Sequence, residues 1–229
     1  MAELKSIPIV ALDFSTAAEA LDLVRRLGDS CRFYKVGSEL FTAAGPDVVR
    51  AIRELGHEVF LDLKFHDIPN TVAGAVRSAV GTGASMLTVH ASGGGAMLRA
   101  AVDAAGDCRV MGVTVLTSFS AAGLGEAWGR AIGAVGDEVT RLAGLCQGAG
   151  AHGLVCSGHE LAAVRAAAPG LRPLVPGIRF AEGEAHDQAR VMTPEAAAAA
   201  GASYLVIGRM VTASADPVAA MRRVTAALS

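Results

Sequence analysis

Eight short apolar runs, rich in β-branched residues and separated by alanine- and leucine-rich stretches, constrain this chain more than any other feature. They are "PIVALDF" (8–14), "RFYKVG" (32–37), "HEVFLDLK" (57–64), "SMLTVH" (85–90), "RVMGVTVLT" (109–117), "HGLVCS" (152–157), "LRPLVPGI" (171–178) and "SYLVIGR" (203–209). Most are apolar almost throughout rather than alternating, the pattern of strands covered on both faces in a parallel sheet. The stretches between them carry helix punctuation. Ser15 or Thr16 can cap a helix that Gly28 stops, and Pro46 sits in the first turn of one that ends at Gly56. Thr193–Pro194 and Asp216–Pro217 repeat the capped-proline start. Eight strand-then-helix units predict a (β/α)8 barrel forming a single domain over residues 1–229. The competing doubly wound sheet would usually show a glycine-rich dinucleotide turn, and no GxGxxG, Walker A or HExxH pattern occurs.

A barrel of this kind places its chemistry at the C-terminal ends of its strands. Asp13, Lys35, Asp62, Lys64, His90, Thr117, Ser157, Arg179 and Arg209 all fall at those ends. The third run is the most telling. "FLDLKFHDIPNT" begins as a buried strand, yet it carries Asp62, Lys64 and Asp67. Strand alternation puts Asp62 and Lys64 on one side, which near the mouth must be the barrel interior. Lys35 closes the neighbouring strand and reaches the same space. Each pair a few ångströms apart interacts by roughly 4 kcal/mol at an effective dielectric near 20. Alternating signs keep Lys64 protonated, and a rigidly held ammonium is a general acid. A buried salt bridge at the rim is the plainer alternative, and a poor source of stability.

Composition sharpens the point. Of 20 basic residues only Lys5, Lys35 and Lys64 are lysines. A lysine kept at a strand end of so arginine-rich a chain suggests a need for a compact ammonium that can give up a proton. The net charge of -2 gives no bias toward nucleic acid or an anionic membrane. The first ten residues lack a secretory pattern, and no apolar run is long enough to span a bilayer. Cys31, Cys108, Cys146 and Cys156 lack CxxC spacing and read as structural thiols of a reducing cytoplasm.

The phosphate-binding end of such barrels follows strands seven and eight. There "VPGIRF" and "VIGRM" pair glycines with Arg179 and Arg209, and Gly208 offers backbone N–H groups beside a guanidinium fork. The polar stretch "RFAEGEAHDQARVMTP" is long for a strand-to-helix connection and is expected to form a lid. Residues 118–144 read as the longest irregular insertion, a second lid element. Thr117 and Ser157 can hydrogen-bond a planar base or cap helices. His66, beside Lys64, is expected to face away from the interior in a structural role, and His90 to orient the glycine turn after it.

"LDLKFHDIPNTV" (61–72) resembles the signature of the orotidine 5'-phosphate decarboxylase family. "ALDFS", "YKVGSELF", "VHASGG", "VLTS", "VPGIR", "DQARVMTP" and "VIGRMVTASADP" resemble that family in order over nearly the whole chain. The DxKxxD core alone belongs to a wider superfamily, and "FHDIPNT" is far more specific. The resemblance implies decarboxylation of orotidine 5'-monophosphate to UMP without metal or organic cofactor. It implies Lys64 as proton donor, Asp62 beside the substrate carboxylate, and Lys35 and Asp67 completing an alternating array. Asp67 and Thr71 would reach the neighbouring site of a homodimer. Asp13 would bind ribose, and Ser157 the base. Arg179, Gln188, Gly208 and Arg209 would bind phosphate. Phe180 stands where the family often has proline. The metal-dependent keto-gulonate phosphate decarboxylases and hexulose phosphate synthases resemble this chain at DxKxxD but carry a glutamate ligand where Lys35 stands, and a cation there repels Mg²⁺. A Schiff-base aldolase would need a neutral Lys64, and a nucleotide sensor would need only the phosphate end.

Overall fold

A computed structural model describes residues 5–180 and 192–229. The eight strands are β1 (Ile7–Ala11), β2 (Phe33–Gly37), β3 (Glu58–Phe65), β4 (Met86–His90), β5 (Arg109–Val113), β6 (Gly153–Val155), β7 (Arg172–Val175) and β8 (Tyr204–Ile207). They close in sequence order into one barrel, with β8 pairing back on β1 and every pair parallel. The expected (β/α)8 architecture is therefore present.

The near-continuous apolar runs are explained by two cores. Ile9, Ala11, Phe33, Phe60, Met86, Met111, Leu174 and Tyr204 fill the barrel interior as one cluster. Their strand neighbours, among them Val10, Tyr34, Val36, Val59, Leu61, Leu87 and Val89, join a larger cluster under the helices. Both faces of each strand are thus dry, and an alternating pattern has no reason to appear. The runs are longer than the strands they predict. β5 stops at Val113 and β7 at Val175, so Thr117 and Arg179 stand on the loops above the barrel.

The helical punctuation works as read. Thr16 caps α1 (Ala17–Leu27) by accepting from the Glu19 N–H, and Gly28 ends it. Between β2 and β3 lie α2 (Ser38–Ala44) and α3 (Asp47–Glu54), with Pro46 at the N-cap of the latter. Pro69 opens α4 (Pro69–Gly81), which packs on α5 (Gly94–Ala105).

Residues 118–144 correct the expectation of an irregular insertion. They hold α6 (Ala121–Trp128) and most of α7 (Val135–Gly148). The glycines of this stretch lower helix propensity. Ser120 offsets this by capping α6, Gly129 stops that helix in the left-handed region, and buried Leu124 anchors it. Across the gap, Glu138 of α7 bonds Arg130 at 2.5 Å and Arg141 at 2.9 Å. Those guanidinium groups, Arg130 foremost, hold its carboxyl below the usual glutamate range despite burial.

Beyond β6 come α8 (Leu161–Ala167), then α9 (Pro194–Ala199), α10 (Arg209–Thr212) and α11 (Pro217–Ala227). Thr193 and Asp216 cap α9 and α11 through their side chains, each before the predicted proline.

Candidate active site

A cavity of about 480 Å³ opens at the C-terminal ends of the strands. Its floor is the apolar top of the barrel interior, with Ala11, Phe60, Val113, Val155, Leu174 and Val206. Asp13, Lys35, Asp62 and Lys64 line one part of its wall, and Thr117, Gly177, Arg179, Gly208, Arg209 and Thr212 line others.

The charges form a chain alternating in sign. Lys35 Nζ lies 2.9 Å from Asp13 Oδ1 and 3.8 Å from Asp62 Oδ2. Asp62 Oδ1 lies 2.9 Å from Lys64 Nζ. The middle of this chain is the driest part, because the Lys35 and Asp62 side chains keep only 10% and 14% of their exposure. Lys64 retains 36% and Asp13 60%, so both ends face the open cavity. Gly37 leaves room for the Lys35–Asp13 pair in this arrangement. A Cβ there would lie 2.9 Å from Lys35 Nζ and 3.5 Å from Asp13 Oδ1, displacing that pair. Gly37 has no charge to flag it, so reading the chain by its polar residues passes over it.

Asp62 and Lys64 meet, but β3 is not the regular strand that the alternation argument assumed. Leu61 pairs with Leu87 and Phe65 with Val89, a step of four residues against two. Lys64 has φ 51°, and no other non-glycine residue among those described has a positive φ. For a residue with a side chain this conformation costs on the order of 1 kcal/mol. It therefore needs local compensation. Thr88 of β4 supplies some: its hydroxyl accepts from the Lys64 N–H at 2.9 Å and donates to Asp62 Oδ1 at 2.9 Å. Thr88 was missed at the sequence level. Its signal is a lone hydroxyl in the apolar centre of "SMLTVH".

Other predicted residues stand elsewhere. Asp67 is exposed, and its carboxylate accepts from the Ile68 N–H at 2.6 Å. Thr71 is exposed in the first turn of α4. Neither lines the cavity of its own chain. Ser157 is 1% exposed and forms a capping box, accepting from the His159 N–H while Glu160 accepts from the Ser157 N–H. It is absent from the cavity wall, and the contacts seen match the capping alternative. Gln188 and most of the predicted lid lie outside the described residues.

Elsewhere on the cavity wall, Arg179 donates from Nη1 to the Ile178 carbonyl at 2.8 Å, and its backbone N–H bonds the Met192 carbonyl at 3.0 Å. Phe180 is covered by Arg223, whose Cζ stands 3.9 Å from the ring centroid. That stacking ties α11 to the chain just after β7. Gly208 leads into α10, which starts with Arg209. The His66 and His90 rings lie with centroids 5.4 Å apart, tilted by 44° to one another. Burial first, then nearby His66 and Lys64, push the His90 imidazole below its usual range against the pull of Asp62, so it is neutral at pH 7.

Among the described residues no group of three or more His, Cys, Asp and Glu side chains is gathered to hold a metal ion. None of the described helices is long and apolar enough to cross a membrane. The four cysteines are buried and form no disulfide, and burial raises the Cys31 and Cys108 thiols to about 11 and Cys146 to about 12.

The sequence pattern of the orotidine 5'-phosphate decarboxylase / HUMPS family matches residues 6–224. The chain is 53% identical over 223 residues to the orotidine 5'-phosphate decarboxylase of Anaeromyxobacter sp. strain K, covering 95% of this chain and 96% of the other. It is 49% identical to that of Laribacter hongkongensis, covering 96% and 92%. Among solved structures, the orotidine 5'-phosphate decarboxylase of Lactobacillus acidophilus superposes with a TM-score of 0.88 at 33% identity, over 98% of this chain and 99% of that one. The fold is shared as well with the Methanocaldococcus jannaschii enzyme solved with the inhibitor BMP, at a TM-score of 0.81 and 20% identity over 99% and 100% of the two chains. A match this long, carried by barrel and mouth alike, has one meaning: the chain belongs to the orotidine 5'-phosphate decarboxylase / HUMPS family.

Proposed function

We propose that this chain converts orotidine 5'-monophosphate to UMP and carbon dioxide without metal or organic cofactor, as a step of pyrimidine synthesis. The observation that carries this reading is the Asp13–Lys35–Asp62–Lys64 chain of alternating charge, held over an apolar floor in one cavity that two arginines also line. Curated relatives near 50% identity over almost the full length support the reaction.

The chemistry follows from the charges. Cleavage of the bond between the pyrimidine ring and its carboxylate leaves the electron pair in an sp2 orbital with no conjugated sink. Negative charge moves from the carboxylate, beside Asp62, onto the ring carbon. The ammonium of Lys64 is proposed to face that carbon and to stabilise charge present only in the transition state. It then transfers one proton to the carbon, and the neutral amine regains a proton from water. Lys35 holds Asp62 and Asp13 in place, and Asp13 with Lys35 bonds the ribose. A fixed ion chain of this kind needs no reorganisation as the bond breaks, and the dry floor strengthens each interaction.

Phosphate binding is assigned to Arg179, Gln188, Gly208 and Arg209, with Thr117 and Ser157 toward the base. Arg179 and Arg209 on the cavity wall support this, since a guanidinium fork matches phosphate oxygens. Asp67 and Thr71 are assigned to the neighbouring site of a homodimer. Their exposure supports this, as does adjacent Ile68, which leaves 68% of its surface to solvent at the barrel mouth. Buried cysteines outside any disulfide fit a cytoplasmic protein. Lys35, paired on both sides by carboxylates, fills the space where a divalent cation would need oxygen ligands.

An absorbance assay on the orotate chromophore, with and without EDTA, tests the reading. Turnover unaffected by chelation is expected. Turnover abolished by EDTA would favour the metal-dependent branch, and nucleotide binding without turnover would favour a sensor.

A further inference from the structure

Three residues of β3 face a single residue of β4. Between the pairs Leu61–Leu87 and Phe65–Val89, residues 62 to 64 bulge opposite Thr88 alone. The strand ladder is interrupted there, and the Lys64 N–H turns to a side chain instead. Thr88 is 1% exposed, and its hydroxyl uses both of its capacities on the charged pair. It accepts from the Lys64 N–H and gives its own proton to Asp62 Oδ1, the oxygen that also takes the Lys64 ammonium. The hydroxyl thus closes a small ring through the backbone and side chain of Lys64 and the carboxylate of Asp62. Leu87 and Val89, on either side of it, are locked in the helix-facing core, so the hydroxyl stands on a rigid strand.

From this ring, and resting on the decarboxylase reading above, we infer that Thr88 is the positioning residue for the proton donor. It holds Lys64 in its left-handed conformation and fixes Asp62 in one rotamer, so that β4 sets where the ammonium points. A buried ring of this kind offers the backbone a partner that water cannot provide, and it removes freedom that a lysine on a regular strand end would keep. Phosphate contacts come from the other side of the barrel and do not depend on it.

The test compares wild type, Thr88→Val and Thr88→Ser. Valine keeps the shape but can neither donate nor accept. Thr88→Val is expected to lower kcat about 10²-fold, the scale of a misplacement near 1 Å, with KM changed by less than about 3-fold. Thr88→Ser is expected to restore most of kcat. Amide exchange at Lys64 is expected to speed up in Thr88→Val, a readout that needs no turnover. Wild-type kcat in Thr88→Val, or a serine variant no better than valine, would overturn the inference. So would unchanged Lys64 exchange. If Thr88→Val does not fold, Thr88→Cys replaces it with the same expectations, since a thiol is a weak donor. An inactive wild type would instead refute the decarboxylase reading, and the exchange measurement would still decide on the tether.

Discussion

Replacing Lys64 with alanine is expected to lower decarboxylation by at least about 10⁴-fold while UMP binding stays measurable. Two losses combine in that variant. The carbanion has no proton donor, and the cation that stabilises it as it forms is gone. The arginines proposed to bind phosphate are untouched, so affinity for the product should persist. Lys64→Arg is expected to fail nearly as badly, because a guanidinium keeps its charge but does not release a proton at neutral pH. The composition points the same way: with 20 basic residues and only three lysines, the chain retains two of those three in this one cavity. Turnover measured by loss of orotate absorbance, beside calorimetric binding of UMP, checks both halves. Wild-type turnover in either variant would remove Lys64 from the reaction.

Asp67→Ala is expected to cost about 10²- to 10³-fold in turnover, although its carboxylate does not line the cavity of its own chain. The loss would come from the partner's site. That arrangement makes a distinctive prediction for mixed subunits. A hybrid of a Lys64→Ala chain and an Asp67→Ala chain has one doubly defective site and one with every residue intact. Random pairing of equal amounts should therefore regain about a quarter of wild-type activity from two inactive parents. Coexpression followed by the orotate assay measures this. Mixtures no more active than their parents would place Asp67 outside the reaction, or within its own chain's site.

Much of the architecture was legible because burial on two faces leaves an unmistakable mark. Eight runs without alternation could only be strands covered inside and out, and the inner and outer clusters around Phe60 and Leu61 show both layers. The convergence of Lys35, Asp62 and Lys64 was legible from their places at strand ends. The bulge was not. "LDLKF" alternates perfectly on paper, and a positive φ usually announces itself with glycine or asparagine, not lysine. Here the Lys64 N–H is bonded by a partner 24 residues away, the hydroxyl of Thr88. Residues 118–144 misled in the opposite direction. They read as irregular, while a serine cap, one buried leucine and an Arg–Glu–Arg cluster hold two helices there. At Ser157 the capping alternative was legible as well: "SGHE" has the spacing of a capping box, and the structure forms one.

The proposed reaction requires the Lys64 ammonium and the Asp62 carboxylate to face the carbon that loses carbon dioxide. A crystal structure with a pyrimidine nucleotide monophosphate bearing an oxyanion on that carbon tests it most directly. Lys64 Nζ is expected at about 3 Å from the oxyanion, with the phosphate against Arg209. A lysine amine turned into bulk solvent, or a nucleotide bound with its phosphate at Lys64, would contradict it.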